Sequence, residues 1–274
     1  MNSTETLTIE TLGIIAGNGM YPQLLVEGAR KAGVKHIAVA AFENETRPEL
    51  AGMVDEIEWL RVGQLGKLTQ FFKKRQIAHA IMAGQIAPKN LFDLRPDMRA
   101  LVILATLKER NAESIFTAIG NELANVGTTL LNATMFMEEH LAQNGLIAGP
   151  ALKRALSDDV EYGLRIAREV SRLDIGQTVV VKRGTVLAVE GFDGTNATIE
   201  RGGRLGKKDA VVAKVAKPGQ DFRFDVPVIG PQTLETAVAA GIAAIAVEAG
   251  RTLVLERARV IEIARQTGIS VVGG

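Results

Sequence analysis

Residues 12–22 read L-G-I-I-A-G-N-G-M-Y-P, an apolar run that ends in two glycines and a proline. Leu12 to Ala16 has the length and composition of a buried strand, and Pro22 suits the first turn of a helix, where its missing N–H costs nothing. Between them Gly17 and Gly19 permit a tight turn and close backbone approach, and the helix that follows offers unpaired amides to an anion. Strand, glycine turn and helix in that order open an α/β fold.

The alternation continues outward from that stretch. Pro22 to Ala32 reads as a helix, His36 to Ala41 as a strand, Gly66 to Arg75 as a helix and Ala80 to Ala83 as a strand. Helical patterns follow at Met98 to Leu107 and Ser114 to Ala124, which closes a doubly wound unit over residues 1–134. Two glycines and a proline within residues 144–150 break the pattern, so a linker or hinge is expected over 135–150. Beyond it, residues 151–274 read as a mixed α/β domain. Its expected elements are a helix at Asp158 to Ser171 and strands at Thr178 to Lys182, Val186 to Glu190, Ala197 to Glu200 and Ala210 to Val215. Arg183-Gly184 and Asp193-Gly194 are the turn dipeptides between those strands. A strand at Val226 to Ile229, a helix from Gln232 to Ala240, strands within Ile242 to Leu255, a helix from Glu256 to Thr267 and a strand at Ile269 to Val272 complete the chain.

Composition excludes several functions. The 274 residues hold 32 Lys and Arg against 31 Asp and Glu, so no global field draws a polyanion, and aromatics at 4% leave few platforms for bases. A nucleic-acid partner is not expected. The absence of cysteine removes disulfides, thiolate nucleophiles and thiolate zinc sites, and fits a cytoplasmic location. The first ten residues lack the pattern of a secretory signal, and no apolar run approaches the ~20 residues of a spanning helix. His36, His79 and His140 stand apart from one another beside apolar residues and read as structural.

Two further glycine loops reinforce the first. Residues 62–67, V-G-Q-L-G-K, place Gly63, Gln64 and Lys67 before a helix, and Gly84 and Gln85 follow a strand at the sheet edge where α/β folds bind ligands. With Gly17, Asn18, Gly19 and Pro22 they suggest a nucleotide, and Glu43 is a candidate for its ribose. A dinucleotide fingerprint would need a third glycine where Pro22 stands, so an NAD-linked oxidoreductase is the weaker reading.

Residues 219–230, G-Q-D-F-R-F-D-V-P-V-I-G, set charge among apolar side chains. If the segment is extended, Asp221, Arg223 and Asp225 share one face, with the two carboxylates about 13 Å apart at ~3.3 Å per residue. They then have different tasks, one orienting Arg223 and the other meeting the reaction centre. Lys214, Lys217 and Arg223 are the cations available to a negatively charged group that gains charge in a transition state.

Together these stretches, with L-D-I-G-Q-T-V-V-V at 173–181, V-L-A-V-E-G at 186–191 and V-A-K-V-A-K-P at 212–218, resemble the UDP-2,3-diacylglucosamine pyrophosphatase family of the LpxI type. The resemblance implies an N-terminal Rossmann-like domain and a C-terminal α/β domain, and cleavage of UDP-2,3-diacylglucosamine to the diacylated sugar 1-phosphate and UMP in lipid A biosynthesis. Water would attack the α-phosphorus, with a divalent cation, Mg2+, assisting. It implies that Asp225 is the catalytic carboxylate, with Gln220, Asp221 and Arg223 as motif neighbours, and that Glu190, Thr195, Lys214 and Lys217 meet substrate. It also implies peripheral contact with the inner face of the inner membrane through the lipid substrate. A homodimer is the default assembly.

Two departures bear on the metal. Where the family pattern reads E-G-T-D, this chain has Asp193-Gly194-Thr195-Asn196, which leaves Asp193 beside Asp225 as the expected metal ligands. Arg110-Asn111-Ala112-Glu113 holds one acid where a pair is expected. A non-catalytic nucleotide-sugar binder is the reading those departures favour.

Overall fold

The computed structural model describes residues 9–86, 96–108 and 112–274. The chain divides into two compact units, residues 1–137 with 221–224, and residues 138–220 with 225–274. Both are α/β. Arg110 and Asn111, in the second departure above, lie outside the described residues.

In the first unit β1 (Thr11–Ala16), β2 (His36–Phe42), β3 (Glu56–Leu60), β4 (His79–Ala83) and β5 (Thr129–Leu130) form a sheet in the order β3-β2-β1-β4-β5. Every pairing in it is parallel. Strand order reverses between β1 and β4, so the topological switch point lies at their carboxyl ends. The helices are α1 (Tyr21–Lys31), α2 (Leu65–Arg75), α3 (Met98–Thr106) and α4 (Ala112–Ala124). Phe71, Phe72, Leu68 and Leu123 pack on alternate residues of the strands, among them Ala38, Ala40 and Ala80. β3 was not expected from the sequence. Its Glu56 and Glu58 hold Arg75 of α2 at 2.7 and 3.3 Å, which masks the apolar signal of an edge strand.

The second unit is a mixed sheet in the order β6-β13-β11-β9-β7-β8. Its strands are β6 (Gly145–Ala148), β7 (Thr178–Lys182), β8 (Thr185–Val189), β9 (Ala210–Lys214), β11 (Ile242–Val247) and β13 (Ser270–Gly273). A separate parallel pair joins β10 (Val228–Ile229) to β12 (Leu253–Val254). Gly145–Ala148, expected within a linker, is an edge strand antiparallel to β13. Side chains alternate across the sheet. Val179 and Val181 pack with Leu164 and Ala167 of α5 (Arg154–Arg172), whereas Val180 packs with Ile199 of α6 (Gly194–Gly206). Leu234 of α7 (Pro231–Ala239) and Val260 of α8 (Arg257–Thr267) complete the second layer.

Ala197 to Glu200, expected as a strand, lies inside α6. The buried face of that helix is Thr198, Ile199, Gly202, Gly203 and Gly206, a helical stripe built largely of glycine and therefore almost silent in apolar periodicity. Glycine is needed there because a Cβ on residue 202 would lie 2.4 Å from Val180 Cβ. Gly202→Ala should destabilise the fold by about 1–3 kcal/mol through overpacking, read as a lower urea midpoint at unchanged m-value.

Candidate active site

At the switch point of the first unit, the loop after β1 closes on the loop after β4. Gly17 N donates to Ala83 O at 2.8 Å, Asn18 N to Gln85 O at 2.6 Å and Gln85 N to Asn18 O at 3.2 Å. A Cβ on Gly17 would stand 2.5 Å from Gln85 O, and Gly84, at φ +94°, would bring one 2.6 Å from Asn18 O. The glycines therefore serve loop-to-loop approach. Gly19 N donates to Asn18 Oδ1 at 2.6 Å, so the backbone N–H groups of residues 17–19 all have partners within the chain. Pro22 lies in the first turn of α1, buried, and the Tyr21 hydroxyl beside it donates to Ala133 O.

The V-G-Q-L-G-K loop meets a carboxylate that the sequence reading passed over. Asp97 Oδ2 accepts from Gly66 N at 2.7 Å in the first turn of α2, while its Oδ1 accepts from Ala100 N at 2.9 Å and caps α3. One amide expected to face an external anion is thus taken by an internal one. An Asp directly before an apolar helical run was the available signal. Gln64 Oε1 accepts from Arg61 N, Gly63 turns at φ +96°, and Lys67 is exposed. Glu43 is exposed with Arg61 4.0 Å away.

The segment expected to run extended instead turns. Phe224 N donates to Asp221 O at 3.2 Å, and Arg223 N to Asp221 Oδ1 at 3.0 Å, an Asp side chain bonding the backbone two residues on. Asp221 also grips the Arg223 guanidinium through Nε and Nη2, at 2.9 and 2.5 Å. That pairing holds the Asp221 carboxyl below its ordinary range and raises the guanidinium. Residues 221–224 belong to the first unit, where Phe222 O accepts from Ala133 N and Phe224 stacks on Phe116 at 5.6 Å. Gln220 and Asp225 belong to the second. Asp221, Arg223 and Asp225 are not one continuous charged face, and Asp221 is committed to orienting Arg223.

The second unit gathers Asp225 with five other expected residues, Glu190, Thr195, Lys214, Lys217 and Gln220. Lys214 ends β9, and Glu190 directly follows β8. Thr178 starts the antiparallel β7 at that same edge, and Thr195 is in the first turn of α6. Lys214 is buried at 7% exposure, and its Nζ donates to Thr195 Oγ1 at 2.9 Å. Thr195 Oγ1 in turn donates to buried Glu190 Oε1 at 2.8 Å, and Gln177 N approaches Glu190 Oε2 at 3.4 Å. Burial pushes the Lys214 ammonium down in pKa, while the charges of Glu190 and Asp225 support it.

Asp225 keeps solvent access, yet protein displaces part of the water around its carboxyl. That desolvation raises its pKa, against the pull of the Gln220 amide and of Lys217 and Lys214. Gln220 Nε2 makes no hydrogen bond of standard geometry, but the amide is near enough to favour the carboxylate. Its Oε1 accepts from Lys217 N at 2.6 Å and so fixes the loop. Lys217 Nζ is held by Asp174 at 2.5 Å. The result is a cluster in which the exposed Asp225 carboxylate, of raised proton affinity, stands near two ammonium groups.

Of the two expected metal ligands, Asp193 has both oxygens engaged. Its Oδ2 accepts from Arg201 at 2.8 Å, which lowers the Asp193 pKa, and its Oδ1 accepts from Gly191 N at 3.0 Å. No group of three or more His, Cys, Asp or Glu side chains able to hold a metal occurs among the described residues. Asp225 is exposed, so a cation held there would have to take most of its ligands from phosphate oxygens and water.

Comparison with known proteins falls on both halves of the chain. The LpxI N-terminal domain matches residues 11–140 and the LpxI C-terminal domain residues 143–272. The UDP-2,3-diacylglucosamine pyrophosphatase LpxI of Caulobacter vibrioides is 32% identical over 273 residues, covering 96% of each chain. Among solved structures, phosphoribosylglycinamide synthetase from Anaerococcus prevotii shares 11% identity over 70% of this chain and 35% of that one, at a TM-score of 0.26.

Thr195→Val keeps shape but leaves the Lys214 ammonium and a Glu190 oxygen without their shared partner. The expected loss of stability is about 1–3 kcal/mol, measured by urea unfolding, with Thr195→Ser restoring most of it.

Proposed function

The chain belongs to the LpxI family, and we propose that it hydrolyses the diphosphate of UDP-2,3-diacylglucosamine to 2,3-diacylglucosamine 1-phosphate and UMP, a step of lipid A biosynthesis. The observation that supports this chemistry is Asp225, accessible yet partly desolvated, beside Lys214 and Lys217.

In this reading Asp225 accepts the proton of the water that attacks the α-phosphorus. A carboxylate with raised pKa is a better base near neutrality than an ordinary one. Lys217, released from Asp174, meets the phosphate charge, whereas Lys214 stays in its buried place and fixes the field at Asp225. Gln220 orders the loop between them. Mg2+, if bound, would be held by Asp225 with substrate oxygens and would offset charge on the diphosphate. No helix among the described residues is long and apolar enough to cross a membrane, so access to a lipid substrate is peripheral in this reading.

The NAD-linked reading gives way to the family match, which covers both halves of the chain.

Purified protein should release UMP and the sugar 1-phosphate from UDP-2,3-diacylglucosamine, identified by mass spectrometry. Asp225→Ala should lower kcat by at least about 100-fold. Because the carboxylate is the working form and its pKa is raised, kcat/KM should climb with pH through a value above the ordinary Asp range. Intact substrate under every divalent cation tested, with substrate bound, would overturn the assignment.

A further inference from the structure

Beside the Asp225 cluster of the second unit stand three large apolar side chains that the fold leaves in water. Leu173 is 61% exposed, Ile175 53% and Phe192 99%. Single exposed apolar residues are ordinary on a surface, but these three come from two loops that press together at the Asp225 cluster. The first loop joins α5 to β7, and the second joins β8 to α6. Gly176, next to Ile175, lies so close to Glu190 that a Cβ would stand 2.1 Å from the Glu190 carbonyl oxygen, and Phe192 is two residues beyond Glu190. Asp174, between Leu173 and Ile175, holds Lys217 at 2.5 Å. An anion-pairing ammonium and an apolar rim are thus set side by side.

We propose that Leu173, Ile175 and Phe192 seat a fatty acyl chain of the substrate, in a rim where Lys217 takes the adjoining phosphate. This rests on the proposed function for the identity of the ligand, and adds which residues read its acyl part. The geometry suits an amphiphile, because a wholly polar nucleotide sugar would leave three large apolar side chains exposed when bound. Leu205, 60% exposed in the last turn of α6, supplies the control. It neighbours Gly206, whose carbonyl accepts from Lys182 at the opposite end of β7 from Thr178.

The test is equilibrium binding of two probes, UDP-2,3-diacylglucosamine and UDP-glucosamine, to the full chain carrying Asp225→Ala so that neither is consumed. Adding Ile175→Ser with Phe192→Ser should cut the preference for the acylated probe about tenfold while leaving the affinity for UDP-glucosamine unchanged. Leu205→Ser should leave both affinities alone. An unchanged preference in the double variant, an equal loss in Leu205→Ser, or no binding of the acylated probe overturns the proposal. So does sedimentation with phosphatidylethanolamine and phosphatidylglycerol vesicles lacking substrate that disappears in the double variant, which would make the rim a bilayer contact. Failure of the wild-type chain to hydrolyse would count against the proposed reaction, while the ratio of affinities still judges the rim.

Discussion

The Lys214 ammonium lies inside protein at the carboxyl end of a sheet strand, and such a charge is tolerated only when hydrogen-bonded and offset. Thr195 and Glu190 meet that demand, and doing so fixes other elements. The start of α6 must bring Thr195 over the end of β9, and Glu190 must leave β8 at the same edge. The glycines of α6 allow that approach, because the helix can settle on Val180 without a side chain between. Breaking such a network is costly because its members are left unpaired in a medium poor in water. Asp225 feels the same field, and its accessible carboxyl gains a tuned proton affinity from a buried charge that need not touch substrate.

The first unit solves a different problem with the same kind of device. Its strand order creates a crevice at the β1/β4 switch point, and the loops around it are tied to one another before any ligand arrives. Asp97 sits against the first turn of α2 and caps α3, so one side chain organises two helix starts. Preorganised loops of this kind define the shape of a crevice while leaving fewer amides for direct anion contact.

Much of the architecture was legible because the buried parallel strands are continuous apolar runs, as at Leu12 to Ala16 and Ala80 to Ala83. Edge strands were harder. Glu56 and Glu58 face Arg75 and disguise β3, and Gly145 to Ala148 looks like a linker until paired with β13. The helix that holds Thr195 was hidden because Asp193-Gly194 also fits a hairpin turn and its buried face is glycine. At the site, Asp225, Lys214, Lys217 and Thr195 were named from the sequence, but the contacts that decide their roles were not. Whether Asp221 faces a ligand or closes on its own backbone depends on a turn of four residues, and no spacing rule separates the two. Asp97, Asp174 and Arg201 act through tertiary contacts and left only weak local signals.

Asp225 is tuned by partial desolvation against the pull of nearby ammonium charge. Carbon-13 NMR titration of its carboxyl, assigned by comparison with Asp225→Asn, measures this directly in the wild-type chain and in Lys214→Met. The apparent pKa should lie above the ordinary Asp value of about 3.9 in the wild type and rise further in Lys214→Met as the lysine's pull is lost. A value at or below the ordinary range, or no upward movement when Lys214 is replaced, would contradict it.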